Sequence, residues 1–301
     1  MAIRIPRLKV PRAIRSKLSA AKLLGTVMKN SIQFKLRRGA FRKRYKSREF
    51  DTIIVDMDGT LFRGDANLEG LKFLYPDKNE GRKTYGEEIY DSLISKIASG
   101  EYSIERAILE GNKFLMAKKA SVKSLSGVLS IMKGEIRVPL VRSLKKAKRR
   151  GMTIVLATLS SRTFGELANS YIAEKYGFGF DMVLGTELSF DSQKAITGVK
   201  SIVGTKDFDF GGIPVHSKLT AIRHGMAAGG KEFFDLKKAV LITDSYGDID
   251  LAKMLVTILI KPENPTAAQK VSQRLRLADY IIRDDSDLQR NLESILLGPV
   301  K

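Results

Sequence analysis

The sequence predicts an α/β fold: a parallel β-sheet covered by helices on both faces, with an inserted helical segment and a basic N-terminal arm. Three observations predict it. Short apolar runs recur at 52–55, 153–157, 239–243, 256–260 and 279–282. Helical periodicity fills stretches between them, at 139–150, 163–175 and 216–226. The runs are apolar throughout rather than alternating, which is the pattern of strands buried on both faces.

The arm comes first in the chain. The 301 residues carry a net charge of +20, and sixteen of the lysines and arginines fall in residues 1–50 against a single acid, Glu49. Residues 51–301 are close to balanced and read as an ordinary globular surface. Within the arm, Ile14, Leu18, Ala21, Leu24, Met28, Ile32 and Leu36 recur at intervals of three and four, one face of a helix. Gly25 weakens that helix by ~1 kcal/mol relative to alanine. No run of eighteen apolar residues occurs, which argues against a membrane-spanning helix. Lys17, Lys22 and Lys29 break up the apolar part of the start, which argues against a secretory signal. Cysteine is absent, so disulfides and thiolate metal sites are excluded.

The first two strands are separated by residues 63–137, far more than a simple crossover needs. Helical patterns at 84–98, 103–118 and 121–133 read this stretch as a small helical domain with no strand signal. The domain division is therefore an arm over 1–50, an α/β core over 51–62 and 138–301, and a helical cap over 63–137. Residues 186–215 hold alternation and turn residues consistent with a β-hairpin excursion, and "FDFGGIPV" reads as a loop.

Ligands of open parallel sheets bind beyond the carboxyl ends of the strands. The residues after each apolar run are therefore the candidates. "TIIVDMDGTLFRGD" ends its strand on Asp56 and Asp58, followed by Gly59. Thr158 follows 153–157, where it can also cap the next helix. Asp244 follows 239–243, with Asp248 four residues on. Lys218 opens the helical pattern before the 239–243 strand, although Lys194, Lys200 and Lys206 are nearby. His216 and His224 read as bystanders.

This set, in this order, resembles the haloacid dehalogenase superfamily of phosphohydrolases. "DMDGTLF" is similar to the family's first motif, Thr158 in "IVLATLSS" to its second, Lys218 to its third, and "TDSYGDID" to its fourth. The resemblance spans roughly 51–283. It implies a Rossmann-like core, and a helical insertion after the first motif is similar to the subgroup containing phosphoserine phosphatase. It also implies that Asp56 is the nucleophile and forms an aspartyl-phosphate, with Asp58 as general acid and base. Gly59, Thr158 and Lys218 would hold the phosphate. Mg²⁺ would sit on Asp56, the Asp58 carbonyl and Asp244, with Asp248 in support. Phosphoserine phosphatases carry a glutamate nine residues after the nucleophile that reads the substrate amine. Here that position is Asp65.

The expected activity is Mg²⁺-dependent hydrolysis of a small phosphomonoester, a phosphorylated metabolite or a lipid headgroup. Two alternatives stay open: phosphoryl transfer to an acceptor other than water, and a basic membrane- or nucleic-acid-binding protein with a vestigial site. The arm fits an anionic membrane surface, at ~1 kcal/mol per engaged lysine or arginine, better than it fits nucleic acid. The expected location is cytoplasmic, with a peripheral membrane association as an option that the arm opens. An acid-poor, arginine-rich start is also what an organelle transit peptide looks like.

Overall fold

The computed structural model describes residues 50–79, 83–230, 235–244, 248–262 and 278–298. Residues 1–49 of the basic arm, with its expected helix, lie outside the described residues.

Nine strands form one sheet. In chain order they are β1 (Thr52–Val55), β4 (Thr153–Ser161), β5 (Met182–Phe190), β6 (Ile196–Gly204), β7 (Phe208–Phe210), β8 (Ile213–Ser217), β9 (Ala239–Thr243), β10 (Val256–Lys261) and β11 (Tyr280–Arg283). A separate two-stranded ladder pairs β2 (Lys78–Asn79) with β3 (Lys83–Thr84). The helices are α1 (Ala66–Leu74), α2 (Tyr85–Ala98), α3 (Ile104–Ala117), α4 (Val122–Met132), α5 (Val138–Arg149), α6 (Arg162–Tyr176), α7 (Lys218–Ala228), α8 (Ile249–Ala252) and α9 (Leu288–Leu297).

The spatial order is β11-β10-β9-β1-β4-β5-β6-β8-β7. Every pairing from β11 to β5 is parallel. Both faces are covered, as continuously apolar strands require. Ile53 and Val55 turn to the side that holds Leu140 and Leu144 of α5, Phe164 of α6 and Leu292 of α9. Ile54 and Val155 turn to the other side, against Ile222 and Met226 of α7 and Leu251 of α8.

Beyond β5 the sheet departs from the expected pattern. β6 returns antiparallel to β5, the expected hairpin, and β8 pairs parallel to β6. "FDFGGIPV" is not a loop but a second hairpin, β7–β8. Its two-residue turn is Gly211-Gly212, with φ of 62° and 88°. Positive φ at both central residues is what the tight primed hairpin turn demands, and glycine supplies it without strain. The helix expected from 216 starts at Lys218, because His216 and Ser217 still belong to β8 and Ser217 caps α7.

The segment between β1 and β4 is helical, with two corrections. It contains α1 over "ANLEGLKFL", and it carries the short β2–β3 ladder where no strand was expected. Its helices pack around Leu71, Tyr75 and Ile89. They also lean on the β5–β6 hairpin: Thr205 N and Oγ1 donate to the buried Glu105 of α3, at 3.0 and 2.7 Å, and Ile196 N donates to Ala120 O.

Candidate active site

β1 stops at Val55, and the next residues form a wide turn, Met57–Leu61, closed by Leu61 N to Asp56 O and Phe62 N to Met57 O. Gly59 sits in it at φ 72°. A Cβ there would fall 2.2 Å from Asp244 Oδ2, so the close approach of this turn to β9 needs glycine as much as the dihedral does. β9 is the neighbour of β1, and Asp244 follows it directly, which places Asp56 and Asp244 side by side. Thr60 Oγ1 lies between them, 3.1 Å from Asp244 Oδ1 and 3.4 Å from Asp56 Oδ2.

Lys218 arrives from farther off. β8 is well removed from β1 in the sheet, but α7 crosses back beneath β4 and β5, packing through Ile222 and Met226. Its first residue therefore reaches the site: Lys218 Nζ donates to Asp56 Oδ1 at 2.7 Å and pairs with Asp248 Oδ1 at 2.5 Å. Of the four lysines in this part of the sequence, it is the one at the carboxylates. Asp248 is held on its other oxygen by Thr243 Oγ1 at 2.9 Å.

Asp58 faces a different set of partners. Its Oδ2 accepts from Ser160 Oγ at 2.6 Å and Thr158 Oγ1 at 3.3 Å, and its Oδ1 accepts from Ala66 N at 2.7 Å. Thr158 is not the helix cap: β4 runs on to Ser161, and Ser161 accepts from Phe164 N to cap α6. Asp65 caps α1 through Asn67 N and Leu68 N, and its Oδ2 accepts from Tyr90 OH at 2.6 Å.

Asp56 and Asp58 are taken out of water, and burial raises the pKa of both. Burial holds the Asp56 carboxyl well above the usual range against the pull of Lys218, with Asp248 and Asp244 adding to the rise. Burial likewise pushes Asp58 up to about 7, helped by Asp65 and opposed by the hydrogen bonds from Ser160, Ala66 and Thr158. Burial disfavours the charge on Lys218, but Asp248 and Asp56 outweigh it and raise its pKa above lysine's ordinary value.

The turn that carries Asp56, Asp58 and Gly59 is fixed from behind by a residue that sequence reading missed. Arg137 is fully buried, and its Nη1 donates to Gly59 O at 2.5 Å, Thr60 O at 2.6 Å and Phe62 O at 3.3 Å. Its Nε donates to Asp284 Oδ2 at 2.9 Å, and Arg63 reaches the same carboxylate. Replacing Arg137 by methionine strands three turn carbonyls and leaves the Asp284 carboxylate to Arg63 alone. Such losses cost about 3 kcal/mol or more. A urea unfolding midpoint should fall accordingly, and a change below ~1 kcal/mol would show that the turn holds itself. Ser160 and Thr60 were also passed over. Ser160 is two residues from Thr158 on one strand, a period-two signal that could have found it.

The model of the haloacid dehalogenase-like hydrolase family matches residues 53–253, which include Asp56, Asp58, Thr158, Lys218, Asp244 and Asp248. The chain belongs to that family. No curated protein matches it. Solved structures of similar fold include one titled a phospho-aspartyl intermediate analogue of phosphoserine phosphatase, with 17% identity and TM-score 0.54, covering 81% of this chain and 98% of that one. A substrate-bound phosphoserine phosphatase complex has 15% identity and TM-score 0.53, covering 82% and 99%. A phosphoserine phosphohydrolase-like protein from Francisella tularensis has 14% identity and TM-score 0.54, covering 81% and 99%. At these identities the likeness establishes the fold of this hydrolase. Among its described residues, no helix is long and apolar enough to cross a membrane.

Proposed function

We propose that this hydrolase is a Mg²⁺-dependent phosphomonoesterase working through an aspartyl-phosphate on Asp56. The observation that carries the reading is the charge balance at the carboxyl edge of β1 and β9. Among the described residues, Asp56, Asp244 and Asp248 are buried together, and Lys218 is the cation paired with Asp56 and Asp248. That surplus of negative charge, in a site meant for an anionic ester, calls for a hard cation. Among the described residues no three acidic or histidine side chains converge on a metal position. Asp56 and Asp244 lie on either side of Thr60 Oγ1, and one or two carboxylates completed by water and phosphate is how Mg²⁺ is usually held. The Asp58 carbonyl is the third donor in this reading, and Asp248 supports by fixing Lys218. When bound, the cation supplies charge that favours ionised Asp56 and offsets the phosphate oxygens.

In the first step the Asp56 carboxylate forms a bond to phosphorus while the bond to the ester oxygen breaks. Asp58, near half protonation at neutral pH, donates its proton to that oxygen and the alcohol leaves. In the second step Asp58, now a carboxylate, takes a proton from water, which attacks the aspartyl-phosphate and frees inorganic phosphate. Lys218 and Thr158 neutralise and orient the phosphoryl oxygens, and the Gly59 turn brings backbone N–H groups close to them. The helices between β1 and β4 act as the cap that excludes water from this chemistry. Residues 1–50 are proposed to seat the protein on anionic membrane, on their charge and apolar stripe alone.

A panel of phosphomonoesters, assayed for phosphate release with Mg²⁺ and with EDTA, tests the reading. Turnover should stop on chelation, return with Mg²⁺, and require far more Mg²⁺ in Asp244→Ala. Full activity in EDTA after dialysis would overturn the metal requirement.

A further inference from the structure

We infer that the alcohol half of the substrate carries an apolar chain, which lies in a cavity inside the helical segment. This rests on the phosphomonoesterase reading and names its substrate class. The cavity has a volume of about 190 Å³ and is lined by α1 to α4, Phe164 of α6 and the adjoining ends of β4 and β5. Leu71, Leu93, Ile108 and Leu125 are among the side chains on its wall. The wall extends to Asn67 and Ser160. Asn67 Nδ2 donates to Ser160 Oγ at 2.8 Å, and Ser160 Oγ lies 2.6 Å from Asp58 Oδ2. The cavity thus begins one side chain away from the carboxyl group that protonates the leaving oxygen. A group bonded to that oxygen would have this cavity beside it.

The polar groups on the wall do not offer recognition of an amino acid. Asn112 Nδ2 donates to Ile108 O, Thr186 Oγ1 donates to Leu159 O, and Tyr90 OH donates to Asp65. Asp65, placed where an amine could have been read, accepts two backbone N–H groups besides that hydroxyl. No lysine, arginine or histidine is among the described lining residues, so a substrate carboxylate would find no partner there. A second observation points the same way. Gly70, in the middle of α1, lines the cavity, and a Cβ built on it meets nothing within 4 Å. Glycine inside a helix is unfavourable relative to alanine, and here it leaves space open where a side chain would fit.

An apolar cavity of ~150 Å³ holds a benzene molecule, so this one takes roughly six to eight carbons. Each buried methylene should raise kcat/KM about fourfold until the cavity is full, a gain on the order of 10² between ethyl and hexyl phosphate. The chain could be straight or isoprenoid, and hexyl and geranyl phosphates are the two arms that separate these.

The experiment measures kcat/KM on ethyl, butyl, hexyl, octyl and geranyl phosphates and on O-phosphoserine, alongside the affinities of ethyl- and hexylphosphonate. Rising kcat/KM with chain length, with O-phosphoserine no better than ethyl phosphate, supports the inference. Gly70→Leu, which favours the helix and fills the space, should bring hexyl phosphate down to the ethyl level and leave ethyl phosphate unchanged. Equal turnover and equal phosphonate affinity across the series would overturn the inference and leave the phosphomonoesterase intact. Absent turnover with hexylphosphonate still bound more tightly would sink the enzymatic reading while upholding the apolar site. Absent turnover with flat affinities removes both.

Discussion

Asp56→Asn is expected to lower phosphate release by about 10⁴-fold or more in a protein that remains folded. An amide nitrogen or oxygen in that place cannot form the acyl-phosphate, and no other carboxylate of the site stands in its position. Asp58 is turned toward Ser160 and Thr158, and Asp248 is engaged by Lys218 and Thr243. The fold should tolerate the change, because the Asp56 carboxyl is already held above its ordinary pKa by burial and a neutral isostere relieves that strain. Lys218 keeps Asp248 as counter-ion. Far-ultraviolet circular dichroism and a melting curve check the fold, and a phosphate assay checks the chemistry. A folded variant retaining more than about 1% of turnover would remove Asp56 from the nucleophile's role, since losses at nucleophiles are far larger.

Asp58→Asn should separate activity from stability in opposite directions. Turnover should fall about 10²–10⁴-fold, the usual contribution of a positioned general acid and base. Stability should rise, and the sign is fixed by the pKa. The Asp58 carboxyl titrates near 7 in the fold and near 3.9 in an unfolded chain. Below pH ~4 both states are protonated and the group has no effect. Between ~4 and ~7 the unfolded chain ionises while the fold does not, so stability falls as pH rises, by at most about 4 kcal/mol. Above ~7 the loss stays constant. In metal-free buffer the asparagine variant should therefore unfold at higher urea than the wild type at pH 8, with the gap closing toward pH 4.5. A gap independent of pH would mean that Asp58 is not ionised against burial.

These groups were legible in the sequence because each sits where an apolar run ends. A charged carboxylate is costly inside a strand buried on both faces, so Asp56 and Asp244 mark the ends of β1 and β9. Helix limits were legible for the same reason that caps are: Thr84, Ser103 and Ser121 accept backbone N–H groups at the starts of α2, α3 and α4. Other features are long-range and left no local mark. Arg137 stands just ahead of a helix rich in lysine and arginine, and nothing near it in sequence says that it is buried against Gly59 and Asp284. The β2–β3 ladder is built of Lys-Asn and Lys-Thr, which have no strand pattern. The β7–β8 hairpin was hidden by its brevity, although Gly-Gly between Phe210 and Ile213 is a hairpin turn in hindsight. Helix α1 was obscured by Gly70 at its centre, although Asp65 ahead of it is a helix-capping residue type. The cavity could not be read at all, since its walls come from five helices and two strands.

The central claim is that the phosphoryl group passes through Asp56. It is tested most directly by acid-quenching a single turnover with phosphorus-labelled substrate and Mg²⁺, then mapping the label by peptide. The account predicts transient label on the peptide containing Asp56, formed before inorganic phosphate appears and absent from Asp56→Asn. Release of inorganic phosphate at the full rate with no label on protein, or with label on a different residue, would contradict it.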